Sequence, residues 1–170
     1  MSIADQQVLS LAEAKAWRKD QQLLGKTVVF TNGVFDLVHP GHVRFLDDAL
    51  RLGDCLIVAV NSDTSVRRLK GEHRPLLPEN ERARIAAAFE SVGAVTIFEE
   101  DTPLEIVNEL RPDVLVKGGD YDLDTIVGRD QVEGWGGRVF ALPFHSGYST
   151  SHIIQKIIST HQTGTNEGAA

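Results

Sequence analysis

The chain has 170 residues, 42% of them hydrophobic, with 17 Lys and Arg against 24 Asp and Glu and a formal net charge of -7. That length and apolar content suit one domain with a full core rather than a disordered chain, and the acidic balance argues against a general nucleic-acid binder. The single cysteine, Cys55, excludes a disulfide framework and a multi-cysteine metal site; inside the apolar run CLIVAV it reads as a small core residue.

From the N-terminus, SLAEAKAWRKDQQLLG (10–25) reads as a helix, with Ser10 and Glu13 as a capping box and Gly25 as its stop. TVVFT (27–31) is the first strand. HVRFLDDALRLG (42–53) is a helix with Val43, Leu46, Ala49 and Leu50 on one face. CLIVAV (55–60) is the second strand, and PENERARIAAAFESVG (78–93) is a helix led by Pro78. AVTIF (94–98) is the third strand. In TPLEIVNELRP (102–112) Thr102 and Glu105 suggest a second capping box around Pro103. DVLVKG (113–118) and RVFALPF (138–144) are the last strands, and STSHIIQKIIST (149–160) is the closing helix.

Each strand is apolar on both faces, as a parallel sheet covered by helices requires. The alternation predicts an α/β fold: a Rossmann-like doubly wound sandwich with a five-stranded, mainly parallel sheet. Residues 1–25 are expected to form a helix and lead-in, 26–160 the domain itself, and the polar segment 161–170 a flexible tail. No apolar stretch approaches the ~18 residues of a membrane span, and the N-terminus lacks a basic start and an apolar signal core. A cytoplasmic location with no membrane partner is the expectation.

In such sheets the ligand sits beyond the carboxyl ends of the strands. There the first strand runs into NGVFDLVHPGH, which holds His39 and His42 three residues apart. If Pro40 opens a helix, His39 is its cap and His42 lies in its first turn. Both rings then tilt back toward free backbone amides and the positive end of the helix dipole. Gly33 and Gly41 leave room for a phosphate. A lone histidine at a helix start is often only a cap, and two without a third ligand make a weak zinc site. Paired, flanked by glycines and placed after an apolar strand, they point to polyphosphate binding. With a net charge of -7, such a site has to be built locally.

GVFDLVHPGH resembles the H-x-G-H signature of the nucleotidyltransferase superfamily, in its cytidylyltransferase-like branch. STSHI resembles the second signature of that superfamily and LVKGGDYD its third block. NSDTSVRRLKGEHRPLLPENER, FEEDTPLEIV, RPDVLVKGGDY and GGRVFALPFHSGYSTSHIIQKI are similar to the D-glycero-β-D-manno-heptose 1-phosphate adenylyltransferase family, over about residues 26 to 158. The resemblance implies a reaction of ATP with a heptose 1-phosphate that yields ADP-heptose, for the lipopolysaccharide core, and pyrophosphate. It also implies Mg²⁺ held mainly by nucleotide phosphates, and a homodimer or larger assembly. Many family members are fused behind a sugar kinase. The 26 residues before the first strand are too few for one, so a stand-alone form is expected, with a separate sugar kinase and phosphatase upstream. Other small-substrate members are the alternative, of the glycerol-3-phosphate cytidylyltransferase, phosphopantetheine or FMN adenylyltransferase type; a non-catalytic nucleotide-binding module is a further one.

The implied nucleophile is a phosphate oxygen, already ionised, so no general base is needed and the task is positioning and charge neutralisation. By the resemblance His39 and His42 hold the α- and β-phosphates and stabilise the five-coordinate phosphorus. Lys70, read as lying on a flexible Gly-flanked stretch, joins them. Thr31, Asn32, Gly33, Phe35 and Gly41 line the nucleotide, and Lys117, Gly118 and Asp120 lie by the nucleoside. Ser149, Thr150 and Ser151 cap the last helix and offer hydroxyls and amides to the β- and γ-phosphates. Arg82 contacts phosphate or forms an ion pair with Glu79. Asn61, Asp63, His73 and Arg74 are expected on the sugar-phosphate side. Asp36, an acid among anions, is a turn residue, orients a histidine, binds a sugar hydroxyl or holds Mg²⁺ through water. Related cytidylyltransferases carry an arginine before the Ser-Thr-Ser motif. Here Phe144 and His145 stand in that region, which leaves open the cation that replaces it.

Overall fold

In a computed structural model, residues 3–119, 122–143 and 149–164 are described. The chain runs α1 (Ile3–Gln7), β1 (Val8–Leu9), α2 (Leu11–Leu23), β2 (Val28–Gly33), α3 (Pro40–Leu50), β3 (Cys55–Asn61), α4 (Asp63–Lys70), α5 (Glu79–Ala87) and β4 (Ala94–Phe98). It continues through α6 (Leu104–Leu110), β5 (Val114–Gly118), a 3₁₀ turn (Leu123–Thr125), α7 (Arg129–Gly134), β6 (Arg138–Leu142) and α8 (Thr150–Gly164). All strand pairs are parallel, in the order β1-β4-β3-β2-β5-β6.

The Rossmann-like sandwich is therefore present, but with six strands rather than five. The extra strand, β1, pairs Val8 with Val95 and Leu9 with Thr96 at the edge of the sheet. Two residues carry no period of their own, so only the neighbour makes this strand.

The apolar runs alternate between two cores. Val29, Leu56, Val58, Val60, Val114 and Val116 share one with Leu46 of α3 and Ala83 and Ala86 of α5. Val28, Phe30, Ile57, Ala59 and Leu115 share the other with Ala14 of α2, Ile106 and Leu110 of α6 and Val132 of α7. Fully buried side chains such as Leu46 and Leu56 each contribute about 1.5–3 kcal/mol.

Local signals held where their partners are local. Ser10 and Glu13 make the reciprocal capping box of α2, and α3 opens at Pro40 with His39 as cap. Three expectations are corrected. The buried stripe of α3 is Gly41, Phe45, Leu46 and Ala49, while Val43 is exposed; packing against the sheet turns the helix toward Phe45. Pro103 is the cap of α6, without a side-chain cap bond, so Thr102 does not complete a capping box. Lys70 is the last residue of α4, because Ser62 caps a helix that runs to it.

The amino ends of the strands are closed by carboxylates. Asp113 accepts from the Val28 N–H at 2.7 Å and from Arg18 at 2.9 Å, and Asp54 accepts from the Thr27 N–H at 2.8 Å. Gly53 sits against this end. A Cβ there would lie 2.7 Å from both the Thr27 carbonyl oxygen and Val29 Cγ2. Gly53→Ala is expected to destabilise by about 1–3 kcal/mol, or roughly 2–10 °C in Tm, as read from a thermal melt.

Candidate active site

The carboxyl ends of the strands are open. β2 pairs with β3 along its whole length, from Val28 to Gly33. With β5 it pairs only at Val29–Val114 and Phe30–Leu115, after which the strands part. Two side-chain hydrogen bonds bridge the gap. Thr31 Oγ1 donates to the Val116 carbonyl at 2.9 Å, and Lys117 Nζ donates to Asn32 Oδ1 at 3.3 Å. The chain winds from β2 out to β3 and β4, then crosses to β5 and β6, so this is the topological switch point. A cleft of about 610 Å³ lies there. Of the expected residues, Asn32, Gly33, Phe35, Asp36, His42, Asn61, Lys70, Arg74, Lys117, Gly118, Thr150 and Ser151 line it.

Of the two histidines, His42 lines the crevice and His39 packs against it. The His39 and His42 rings lie 3.9 Å apart, tilted by 30°. His42 Nδ1 accepts from the His39 backbone N–H at 3.3 Å, so the neutral ring carries its proton on Nε2. Burial, and then the neighbouring His39, push the His42 pKa down to about 4. Burial lowers His39 as well. At neutral pH His42 is therefore an uncharged donor. Phe35, whose ring centroid is 5.4 Å from that of His42, sits in the left-handed region at φ 49. Such strain is held only by the packing around it.

Positive charge comes from Lys70 at the end of α4, Arg74 beyond it and Lys117 at the end of β5. Burial, then repulsion from Lys70, lowers the Lys117 pKa. Among the described residues the carboxylates of the cleft are Asp36 and Asp101, both in ion pairs, with Arg74 at 2.7 Å and with Arg68 at 2.7 Å. Burial pushes Asp36 up, but bonds from the Leu76 and Leu77 N–H groups and from Arg74 outweigh it and hold the carboxyl below its usual value. Among the described residues no group of three His, Cys, Asp or Glu side chains could hold a metal ion.

Of the other expected residues, Thr31, His39, Gly41, Asp63, His73, Arg82 and Ser149 are not on the cleft wall. Arg82 is fully buried and donates to the carbonyls of Leu77 (2.9 Å), Val34 (2.6 Å) and Asn61 (2.8 Å) and to Asp63 Oδ1 (2.7 Å). It contacts neither the cleft nor Glu79, whose carboxylate accepts from the Asp63 N–H. Asp63 is thus the partner of Arg82. Asn61 lines the cleft, and its Nδ2 donates to Ser65 Oγ at 3.1 Å. His73 is exposed, away from the cleft wall, and Gly41 is buried in the first turn of α3. Ser149 Oγ accepts from the His152 N–H, and Thr150 Oγ1 donates to the Leu37 carbonyl at 3.2 Å, tying α8 to the histidine turn. Asp120, like Phe144 and His145, lies outside the described residues.

The cleft also has walls that sequence reading missed: Thr102 and Pro103 after β4, and Thr125 at the end of the 3₁₀ turn with Ile126 and Val127 after it. The first pair was findable from its place at the carboxyl end of the third apolar run. The second lies in a segment with no periodic signal. No helix among the described residues is long and apolar enough to cross a membrane.

A model of the cytidylyltransferase-like family matches residues 30–156. The chain is 56% identical over 140 residues to the bifunctional protein HldE of Syntrophotalea carbinolica, covering 82% of this chain and 29% of that protein. It is 56% identical over 137 residues to the bifunctional protein HldE of Geobacter sulfurreducens, covering 81% and 28%. The chain thus spans under a third of the length of these curated relatives. Among solved structures it resembles the lipopolysaccharide core biosynthesis protein from Thermoplasma volcanium, with a TM-score of 0.60 and 29% identity, covering 74% of this chain and 100% of that one.

Arg82→Met would leave the half-buried Asp63 carboxylate and three carbonyls without this donor. It is expected to cost about 3–5 kcal/mol in urea unfolding. A second test is pH. Below pH 6.5 an ordinary histidine takes a proton that folded His42 refuses until about pH 4. Its contribution is therefore complete above 6.5 and is lost as the pH falls toward 4. His42→Gln should shrink the drop in stability between about pH 7 and pH 5 measured by urea unfolding.

Proposed function

The chain belongs to the cytidylyltransferase-like family, and from that premise we propose that it is an adenylyltransferase joining ATP to a heptose 1-phosphate, with release of ADP-heptose and pyrophosphate. One observation carries the reading: His42, its ring against that of His39 at the start of α3, lines a switch-point cleft that also holds Lys70 and Lys117. The relatives' names, HldE and a lipopolysaccharide core biosynthesis protein, support the sugar assignment and a role in supplying core heptose. The reading includes a cytoplasmic reaction, where ATP is available, and a homodimer, as the family resemblance implies.

An oxygen of the sugar phosphate attacks the α-phosphorus in line. The bond from that phosphorus to the bridging oxygen breaks, and pyrophosphate leaves with the electron pair. The nucleophile is ionised at neutral pH, so nothing has to remove a proton. The obstacle is repulsion between two anions. His42 meets it from Nε2–H, as a preorganised donor whose orientation the His39 N–H fixes. His39, stacked on it, works on the same phosphates. Lys70 and Lys117 supply charge, and Asn32 holds the Lys117 ammonium over the parting strands. Thr150 and Ser151 face the cleft from the start of α8 and suit the leaving phosphates. Mg²⁺ accompanies ATP in this reading, held by the nucleotide phosphates. The paired carboxylates among the described residues do not fit a protein-held ion.

Pyrophosphate release is the test, with ATP or CTP against heptose 1-phosphate, glycerol 3-phosphate, phosphopantetheine and FMN. ATP with heptose 1-phosphate should be the productive pair; a preference for CTP sinks the adenylyl assignment. His39→Ala and His42→Ala should each lower kcat by about 10²–10³-fold. Full turnover in both variants would remove the histidines from the mechanism.

A further inference from the structure

Asp36 is an acid inside a cleft built for anions, and only 2% of its surface is exposed. Its carboxylate is fully occupied. Arg74 Nε donates to Oδ2 at 2.7 Å, the Leu76 N–H donates to both oxygens at 2.8 and 2.9 Å, and the Leu77 N–H donates to Oδ1 at 3.0 Å. Converging donors of this kind stabilise the ionised form and leave little capacity for a sugar hydroxyl or a metal-bound water. The bonds join the histidine turn to a segment some forty residues later in the chain.

Arg74 binds Asp36 through Nε, the inner nitrogen of its guanidinium. That bond does not use the two outer nitrogens, and Arg74 lines the cleft. A guanidinium held from behind in this way presents its remaining donors in a set direction, the geometry that phosphate recognition uses.

Topology separates two halves of the cleft. Lys70 and Arg74 come from the connection after β3, on one side of β2. Lys117 and the Thr150–Ser151 start of α8 come from the β5 and β6 side. The histidine turn, following β2, stands between them. A reaction joining two anions at one phosphorus needs two such cradles, one for the triphosphate and one for the acceptor.

We propose that Asp36 is a positioning residue that aims Arg74 at the phosphate of the acceptor. This rests on the adenylyltransferase reading for the identity of the acceptor. It does not rest on it for the existence of the phosphate site.

The test is a double-mutant cycle. Arg74→Ala should raise the KM for heptose 1-phosphate by about 10- to 100-fold, the range for losing charge-assisted hydrogen bonds. The affinity for a non-hydrolysable ATP analogue, by calorimetry, should stay within about twofold, since the analogue does not use this cation. Asp36→Asn keeps an acceptor for the Leu76 and Leu77 N–H groups but loses the charge, and should raise the same KM although Arg74 is present. If Asp36 acts only through Arg74, the double variant is no worse than Arg74→Ala. Additive losses, or a loss of nucleotide affinity with the acceptor KM unchanged, overturn the proposal. Should Asp36→Asn fail to fold, Arg74→Lys decides. Lysine keeps the charge but cannot bond Asp36 and reach forward together, so a wild-type acceptor KM overturns the pairing. If wild-type protein releases no pyrophosphate from ATP and heptose 1-phosphate, the adenylyltransferase reading falls. The phosphate site is then decided by titrating inorganic phosphate into protein saturated with the ATP analogue. Binding by the wild type and its loss in Arg74→Ala support the site; equal binding, or none by the wild type, overturns it.

Discussion

The chemistry of this protein depends on where β2 stops pairing with β5. Two ladder pairs hold the strands together at Val29–Phe30, and beyond them the backbones diverge. Parting two central strands exposes peptide groups that water or a side chain must satisfy. Thr31 does this for the Val116 carbonyl from within the sheet, and Asn32 and Lys117 bridge the gap from its walls. The opening is thus stabilised as an opening. Its floor is rigid because Arg18 and Asp113 tie the opposite ends of β2 and β5 to the helix layer.

Two ion pairs, each with one member buried, then set the walls. Arg82 gathers the carbonyls of Val34, Asn61 and Leu77 onto one guanidinium, with Asp63 as counter-charge. Asp36 gathers Arg74 and two backbone amides. Each joins the histidine turn region to the segment between α4 and α5. Breaking one partner of such a pair leaves an uncompensated charge, so the two connections resist moving apart. A site that works by placing donors around developing charge gains from walls fixed before the ligand arrives. Among the described residues the carboxylates of the cleft, Asp36 and Asp101, are already paired, so a chain of net charge -7 still offers Lys70 and Lys117 there.

Much of the fold was legible in the residues. The five long strands announce themselves as runs apolar on both faces, because both faces are covered. The α2 capping box was legible because Ser10 and Glu13 are three residues apart and need no third element. β1 was not legible, since two residues at a sheet edge are a strand only through Val95 and Thr96. Thr102 shows the converse. Its spacing to Glu105 fits a capping box, yet the helix takes Pro103 as its cap and Thr102 faces the cleft. In the site, the histidine turn was readable from the glycines, the proline and the three-residue spacing. The setting of Arg82 was not, because a basic residue one turn into a helix reads the same whether it points to solvent or inward.

The sequence by itself determined the alternation of strand and helix, the cap at His39 and the placing of two imidazoles in one helical turn. These arise from periodicity and capping, which act over a few residues. Only the tertiary structure decided which candidate groups share a space. Lys70 and Lys117 come from opposite sides of β2 and meet in one cleft, while Arg82 and Asp36 turn from candidate ligand contacts into internal ties. The reason is range: Asn32 and Lys117 are 85 residues apart in the chain, and only the packing of β2 beside β5 brings them into contact.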